Sequence, residues 1–195
     1  MVKLKKYIEI KEVKNIAIYA VLFQVIVILI QIIISTGIST IFPSDEIIKL
    51  EYESYMYFIW AIIFAPIIEE IIFRQGLYGL LKKKISLKKA MVIASIIFGV
   101  IHIQPITIIF AFFAGYNCCL IYEKYKTIIA PIIFHSVCNA IGLINGNFLR
   151  DFYVNKGVLI TAIIFTISIV LLVATIILHR RQAENIFKNS SNKFI

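Results

Sequence analysis

Residues 15–34 read NIAIYAVLFQVIVILIQIII, twenty positions without a charged side chain, preceded by Lys3, Lys5, Lys6, Lys11 and Lys14. About 20 apolar residues cross a bilayer as a helix. A secretory signal has a shorter apolar core, of about 7 to 15 residues, and a small-residue cleavage site, so the run reads as a retained helix. Five more apolar runs follow, at about 55 to 80, 88 to 103, 106 to 122, 127 to 146 and 157 to 178. The third and fourth are short and meet at Gln104 and Pro105, and proline suits a helix start better than a helix interior. The expected fold is all-α: a polytopic membrane bundle of about six transmembrane helices, with residues 1–195 forming one integral membrane domain.

Composition agrees. Of 195 residues, 61% are hydrophobic and 16% charged, and the mean hydropathy is +0.92. A soluble domain carries roughly 25% charged residues, so a soluble globular enzyme is excluded, and so is a disordered chain, which would be poor in apolar residues. The net charge of +9 is no call for nucleic acid, because it is confined to the ends and short loops. The N-terminus, the segment 82 to 89, the turn 123 to 126 and the tail with Arg180, Arg181, Lys188 and Lys193 hold 16 Lys and Arg, against Lys49, Arg150 and Lys156 in the opposite loops. That asymmetry is the positive-inside pattern and places both termini in the cytoplasm. Cys118, Cys119 and Cys138 lie in apolar stretches without paired spacing, so small-residue helix packing explains them. Asn117, Gln24 and Gln31 read as helix-to-helix hydrogen bonders, and Tyr52, Tyr55, Tyr57 and Trp60 as an interfacial aromatic belt.

Ionisable residues at bilayer depth are costly and mark function. Here they are Glu69, Glu70 and Arg74 in the second run, His102 at the end of the third, and His135 with Asn139 in the fifth. Glu70 and Arg74 are four apart, on one helix face, where a salt bridge neutralises both. Glu69 is about 100° further round, outside that pair. His135 and Asn139, also four apart, can present two donors to one oxygen, the requirement of an oxyanion hole. Glu69, His102 and Asn139 each stand 13 residues from a cytoplasmic lysine, Lys82, Lys89 and Lys126, which puts all three about 20 Å deep.

Three chemistries compete for this layer. Glu69, helped by His102, can act as general base on a water that attacks a peptide carbonyl, with His135 and Asn139 on the oxyanion; no cofactor is then needed. Alternatively Glu69, His102 and His135 hold Zn²⁺ with an open position for water, although no His-Glu-x-x-His helix is present. The third reading is a proton or ion path in a transporter. No Gly-x-Ser-x-Gly stretch supports a serine nucleophile.

The sequence resembles the CAAX prenyl protease and bacteriocin-processing family, called CPBP or Abi, whose motifs run Glu-Glu-x-x-x-Arg, Phe-x-x-x-His and His-x-x-x-Asn or Asp. Here they read Glu69-Glu70-x-x-x-Arg74, Phe98-x-x-x-His102 and His135-x-x-x-Asn139, in that order on successive apolar segments. The stretches Ala65-Pro66-Ile67-Ile68 and Tyr122 through His135 look like family sequence too. The likeness covers about residues 58–145 and implies a catalytic core there. It implies an intramembrane endopeptidase with Glu69 and His102 activating water, His135 and Asn139 as the oxyanion pair, and Glu70 with Arg74 in support. Eukaryotic relatives trim the tripeptide after a prenylated Cys. A short chain rich in Ile, Lys and Asn suggests an AT-rich bacterial genome, so peptide processing or bacteriocin self-immunity at a multi-pass cell-membrane protein is the implied role, with a membrane peptide or protein as substrate. A non-enzymatic immunity protein is the remaining alternative.

Overall fold

A computed structural model describes residues 8–41, 55–103, 105–153 and 158–187. Among them every regular element is helical, and the six expected runs become six helical segments. These are α1 (Ile10–Ile41), α2 (Tyr55–Leu81), α3 (Leu87–Val100), α4 (Pro105–Tyr125), α5 (Ile129–Tyr153) and α6 (Val158–Phe187). Ile10–Ile33 and Tyr55–Leu81 are each long and apolar enough to cross a membrane. The acidic loop residues Asp45, Glu46, Glu51 and Glu53, the aromatic Tyr52, the cations Lys3, Lys5, Lys6, Lys49, Lys156, Lys188 and Lys193, and Gln104 lie outside the described residues.

α4 joins two packing clusters of the bundle, although Ile109 and Phe113 on it are about half exposed. Its consecutive residues Cys118 and Cys119 enter different clusters. Cys118 and Ile121 pack with Ile16, Tyr19 and Phe23 of α1 and Phe134 and Cys138 of α5, whereas Cys119 and Tyr122 pack with Tyr78 of α2 and Ala90, Met91 and Ala94 of α3. All three cysteines are free thiols in these contacts. Asn117 joins helices as expected: the Tyr19 hydroxyl donates to its Oδ1, while its Nδ2 donates to Phe113 O at 2.9 Å. α6 shows bulky apolar side chains outward, Ile167, Val170 and Leu171 among them, each at least half exposed. Such a surface suits lipid.

Long-range contacts put the basic segments at one end of the bundle. Lys82, in the turn after α2, bonds Glu123 at the end of α4 at 2.6 Å, and Lys126 bonds the other oxygen of the same carboxylate. At the same end, Gln182 of α6 donates to Asn15 O of α1 at 3.2 Å, and Tyr125 feels Glu12. The start of α1 and the end of α6 therefore share a side with the lysine-bearing turns, as an even number of antiparallel helices requires.

Burial would raise the Glu123 carboxyl, but the bonds from Lys126 and Lys82 more than offset it and hold it below the ordinary carboxylate range. A depressed folded-state value contributes stability above the unfolded value, about 4.3 for Glu, and loses it as pH falls through the folded value. Both lysines are partly exposed, so solvent screening limits the effect to about 1 kcal/mol. Melting curves of Glu123→Gln and the unaltered protein should differ at pH 7 and converge as pH drops below the ordinary carboxylate range.

The turn between α3 and α4 departs from expectation. The third apolar run extends to 103, but α3 ends at Val100 and His102 lies in the turn that follows. Ile103 adopts φ 64°, the left-handed conformation that stops the helix. A β-branched residue there is strained, by about 1–2 kcal/mol. The turn is tight because a Cβ on Gly99 would lie 2.8 Å from Ile108 O, so glycine lets α3 and α4 touch at the backbone. Ile103 is 83% exposed and has little packing to lose. Ile103→Gly should therefore raise thermal stability by about 1 kcal/mol, read as an increased melting temperature in detergent.

Candidate active site

α2 supplies both carboxylates, and its backbone is irregular around them. Two stretches, Trp60–Phe64 and Ile71–Tyr78, widen into π-helix, with Ala65–Glu70 between them. Pro66 explains the first, because its ring clashes with the carbonyl four residues back and it has no N–H to give. The Ala65 N–H reaches Trp60 O, five residues back. The equivalent donor for Ala61 O would be Pro66, which has none. Asn139 Nδ2 of α5 donates to Ala61 O at 2.8 Å instead, tying α5 to α2 about two turns before Glu69. The second widened stretch holds Arg74 and Gly76 and contains no proline; nothing in its residues announced it. Interruptions of this kind recur at functional sites.

Glu70 and Arg74 meet in a two-pronged contact, Nε to Oε2 at 2.8 Å and Nη2 to Oε1 at 3.1 Å, both side chains fully buried. A third group joins them: His135 Nδ1 lies 3.0 Å from Glu70 Oε1. A carboxylate paired with a guanidinium only accepts hydrogen bonds, so Nδ1 carries the proton. The other ring nitrogen, Nε2, then faces Glu69 Oε2 at 3.8 Å. One imidazole thus straddles the carboxylates of two consecutive residues of the same helix. Glu69 is set off from the Glu70–Arg74 pair but is not solitary, and the imidazole beside it is His135, where the sequence pattern suggested His102.

His102 enters differently. Its Nδ1 donates to Phe98 O at 2.9 Å, so Nε2 is left as an acceptor. Phe98 is the hub of the layer. Its ring is edge-on to His102 at 5.0 Å, to His135 at 5.6 Å and to Phe73 at 5.1 Å. The Arg74 guanidinium lies 5.0 Å from the Phe98 ring centroid, a contact worth more when desolvated. It matters because Arg74 Nη1 is buried with no hydrogen-bond partner among the described residues. A Cβ on Gly115 of α4 would come 3.0 Å from the Phe98 ring, so the absent side chain is what seats the ring. Phe98 stands in the Phe-x-x-x-His motif without an assigned role, and Gly115 is the residue that spacing arguments missed as part of the site.

Among the described residues no group of three or more His, Cys, Asp or Glu stands close enough together to hold a metal ion. Exposure separates the two carboxylates, with the Glu69 side chain 29% accessible and that of Glu70 fully buried.

These residues fall within one family segment. Residues 51–141 match the family described as type II CAAX prenyl endopeptidase Rce1-like, and that stretch contains Glu69, Glu70, Arg74, His102, His135 and Asn139. The matched segment is just under half of the chain, and over it the chain is similar to that family. It is similar to the Putative membrane peptidase YdiL of Bacillus subtilis (strain 168), with 35% identity over 77 residues. That match covers 40% of this chain and 32% of the relative, about a third of its length. No solved structure matches the chain.

Proposed function

We propose that the protein is an intramembrane endopeptidase in which Glu69 activates water. The observation that carries this reading is Glu69 Oε2, buried, without a hydrogen-bond donor among the described residues, and facing His135 Nε2. A buried acceptor of this kind suits a water or a substrate group. In the proposed cycle Glu69 takes a proton from water, whose oxygen adds to a peptide carbonyl, and the His102 Nε2 lone pair helps orient that water. The carbonyl oxygen becomes an oxyanion that accepts from His135 Nε2–H and from the second Asn139 amide hydrogen, the first being spent on Ala61. The C–N bond then breaks, and Glu69 returns its proton to the leaving nitrogen, giving a carboxylic acid and an amine.

The roles require His135 to carry both ring protons. With His135 doubly protonated, Glu69 and Glu70 balance Arg74 and the imidazolium, so the buried layer is neutral before reaction. Protonation of Glu69 is then matched by the oxyanion, and the layer is neutral again at the tetrahedral stage. Glu70 and Arg74 hold the imidazole in register.

The substrate is a membrane-associated peptide or protein, and the protein is a multi-pass resident of a bacterial cell membrane with both termini in the cytoplasm. Peptide processing or bacteriocin self-immunity fits a chain of this composition better than trimming of prenylated proteins. Comparing membrane proteomes of cells carrying the active protein and cells carrying Glu69→Gln tests the reading. It predicts at least one peptide cleaved only by the former; identical proteomes would count against it.

A further inference from the structure

The outward face of α3 is organised apart from the site. Along this helix Ala90/Met91, Ala94/Ser95 and Phe98/Gly99 are buried, and the pairs between them, Lys88/Lys89, Val92/Ile93, Ile96/Ile97 and Val100/Ile101, are exposed. A four-residue step overshoots one helical turn by only about 40°, so the exposed pairs make a single, slowly winding stripe. From Lys88 to Ile101 it runs about 20 Å, a little more than one leaflet of a hydrocarbon core about 30 Å thick. The stripe is cationic at one end and apolar along the rest.

Among the described residues the cationic end has no counter-ion. Lys83, Lys84, Lys88 and Lys89 are exposed, residues 82–89 contain no Asp or Glu, and neighbouring Lys82 is engaged by Glu123. Where charge gives way to apolar surface there is a shallow open depression lined by Lys88, Lys89, Val92 and Ile93.

We propose that this face binds one anionic phospholipid, its phosphate on Lys88 and Lys89 and an acyl chain along Val92, Ile93, Ile96 and Ile97. Charge complementarity selects an anion, since clustered lysines beside a membrane helix attract acidic headgroups. The apolar rows directly below the lysines select a lipid over free phosphate, which would use the charges alone.

Native mass spectrometry of the full chain, released from neutral detergent with phosphatidylglycerol or phosphatidylcholine added, tests this. One phosphatidylglycerol should stay bound, with phosphatidylcholine at least ten times weaker, and millimolar glycerol phosphate should not displace it. Lys88→Gln/Lys89→Gln should weaken retention about 30-fold, at roughly fivefold per lysine, with an unchanged melting temperature because both side chains are exposed. Equal retention of the two lipids, displacement by glycerol phosphate, or undiminished binding by the double variant would each overturn the proposal.

Discussion

Replacing Arg74 by methionine should cost about 3–5 kcal/mol of stability, the usual penalty for removing one partner of a buried ion pair. Arg74 and Glu70 are both fully inaccessible, and their two-pronged contact is the main compensation for burying either charge. Methionine keeps much of the volume but provides no donor, which leaves Glu70 with His135 and the Cys118 thiol. For a chain of this size the loss corresponds to a fall in melting temperature on the order of 10 °C. Pairing Arg74→Met with Glu70→Gln should recover part of it, because the stranded carboxylate is then gone. Thermal melts of the single and double variants in the same detergent check both statements, and a single variant melting with the unaltered protein would refute the structural role assigned to the pair.

Glu69→Gln should behave in the opposite way. Its carboxylate is partly accessible and sits 3.8 Å from His135 without a close hydrogen bond, so little folding energy depends on it, and the melting temperature should move by only a degree or two, about 0.5 kcal/mol. Activity should fall by about 10²–10⁴-fold, the usual contribution of a positioned general base. In the proposed cycle two consecutive glutamates thus divide their work: Glu70 holds the layer together, and Glu69 does the chemistry. A Glu69→Gln protein that unfolds, or that cleaves at the original rate, would undo this division.

Much of the arrangement is legible in residue order because local periodicity controls it. Apolar run length located the six helices, and the four-residue spacing of Glu70 and Arg74 put them on one face. Where the chain bends away from an ideal helix, periodicity says less. The wide turns of α2 depend on donors that Pro66 lacks and on the amide of Asn139, 78 residues from its acceptor. His102 leaves the helix because Ile103 turns left-handed, a choice that a β-branched side chain argues against. The approach of His135 to both glutamates, and the seating of Phe98 against Gly115, are tertiary contacts between helices and leave no trace in spacing along one of them.

The proposed chemistry is delivery of water by Glu69 to a peptide bond inside the membrane. Its most direct test is cleavage of a membrane peptide by the purified protein in liposomes made up in ¹⁸O-water, with products read by mass spectrometry. The account predicts a new carboxyl terminus carrying one ¹⁸O from the solvent, formed by the unaltered protein and lost with Glu69→Gln. Labelled product at the same rate from Glu69→Gln, or no cleavage by the unaltered protein of a peptide that its own cells cut, would contradict it.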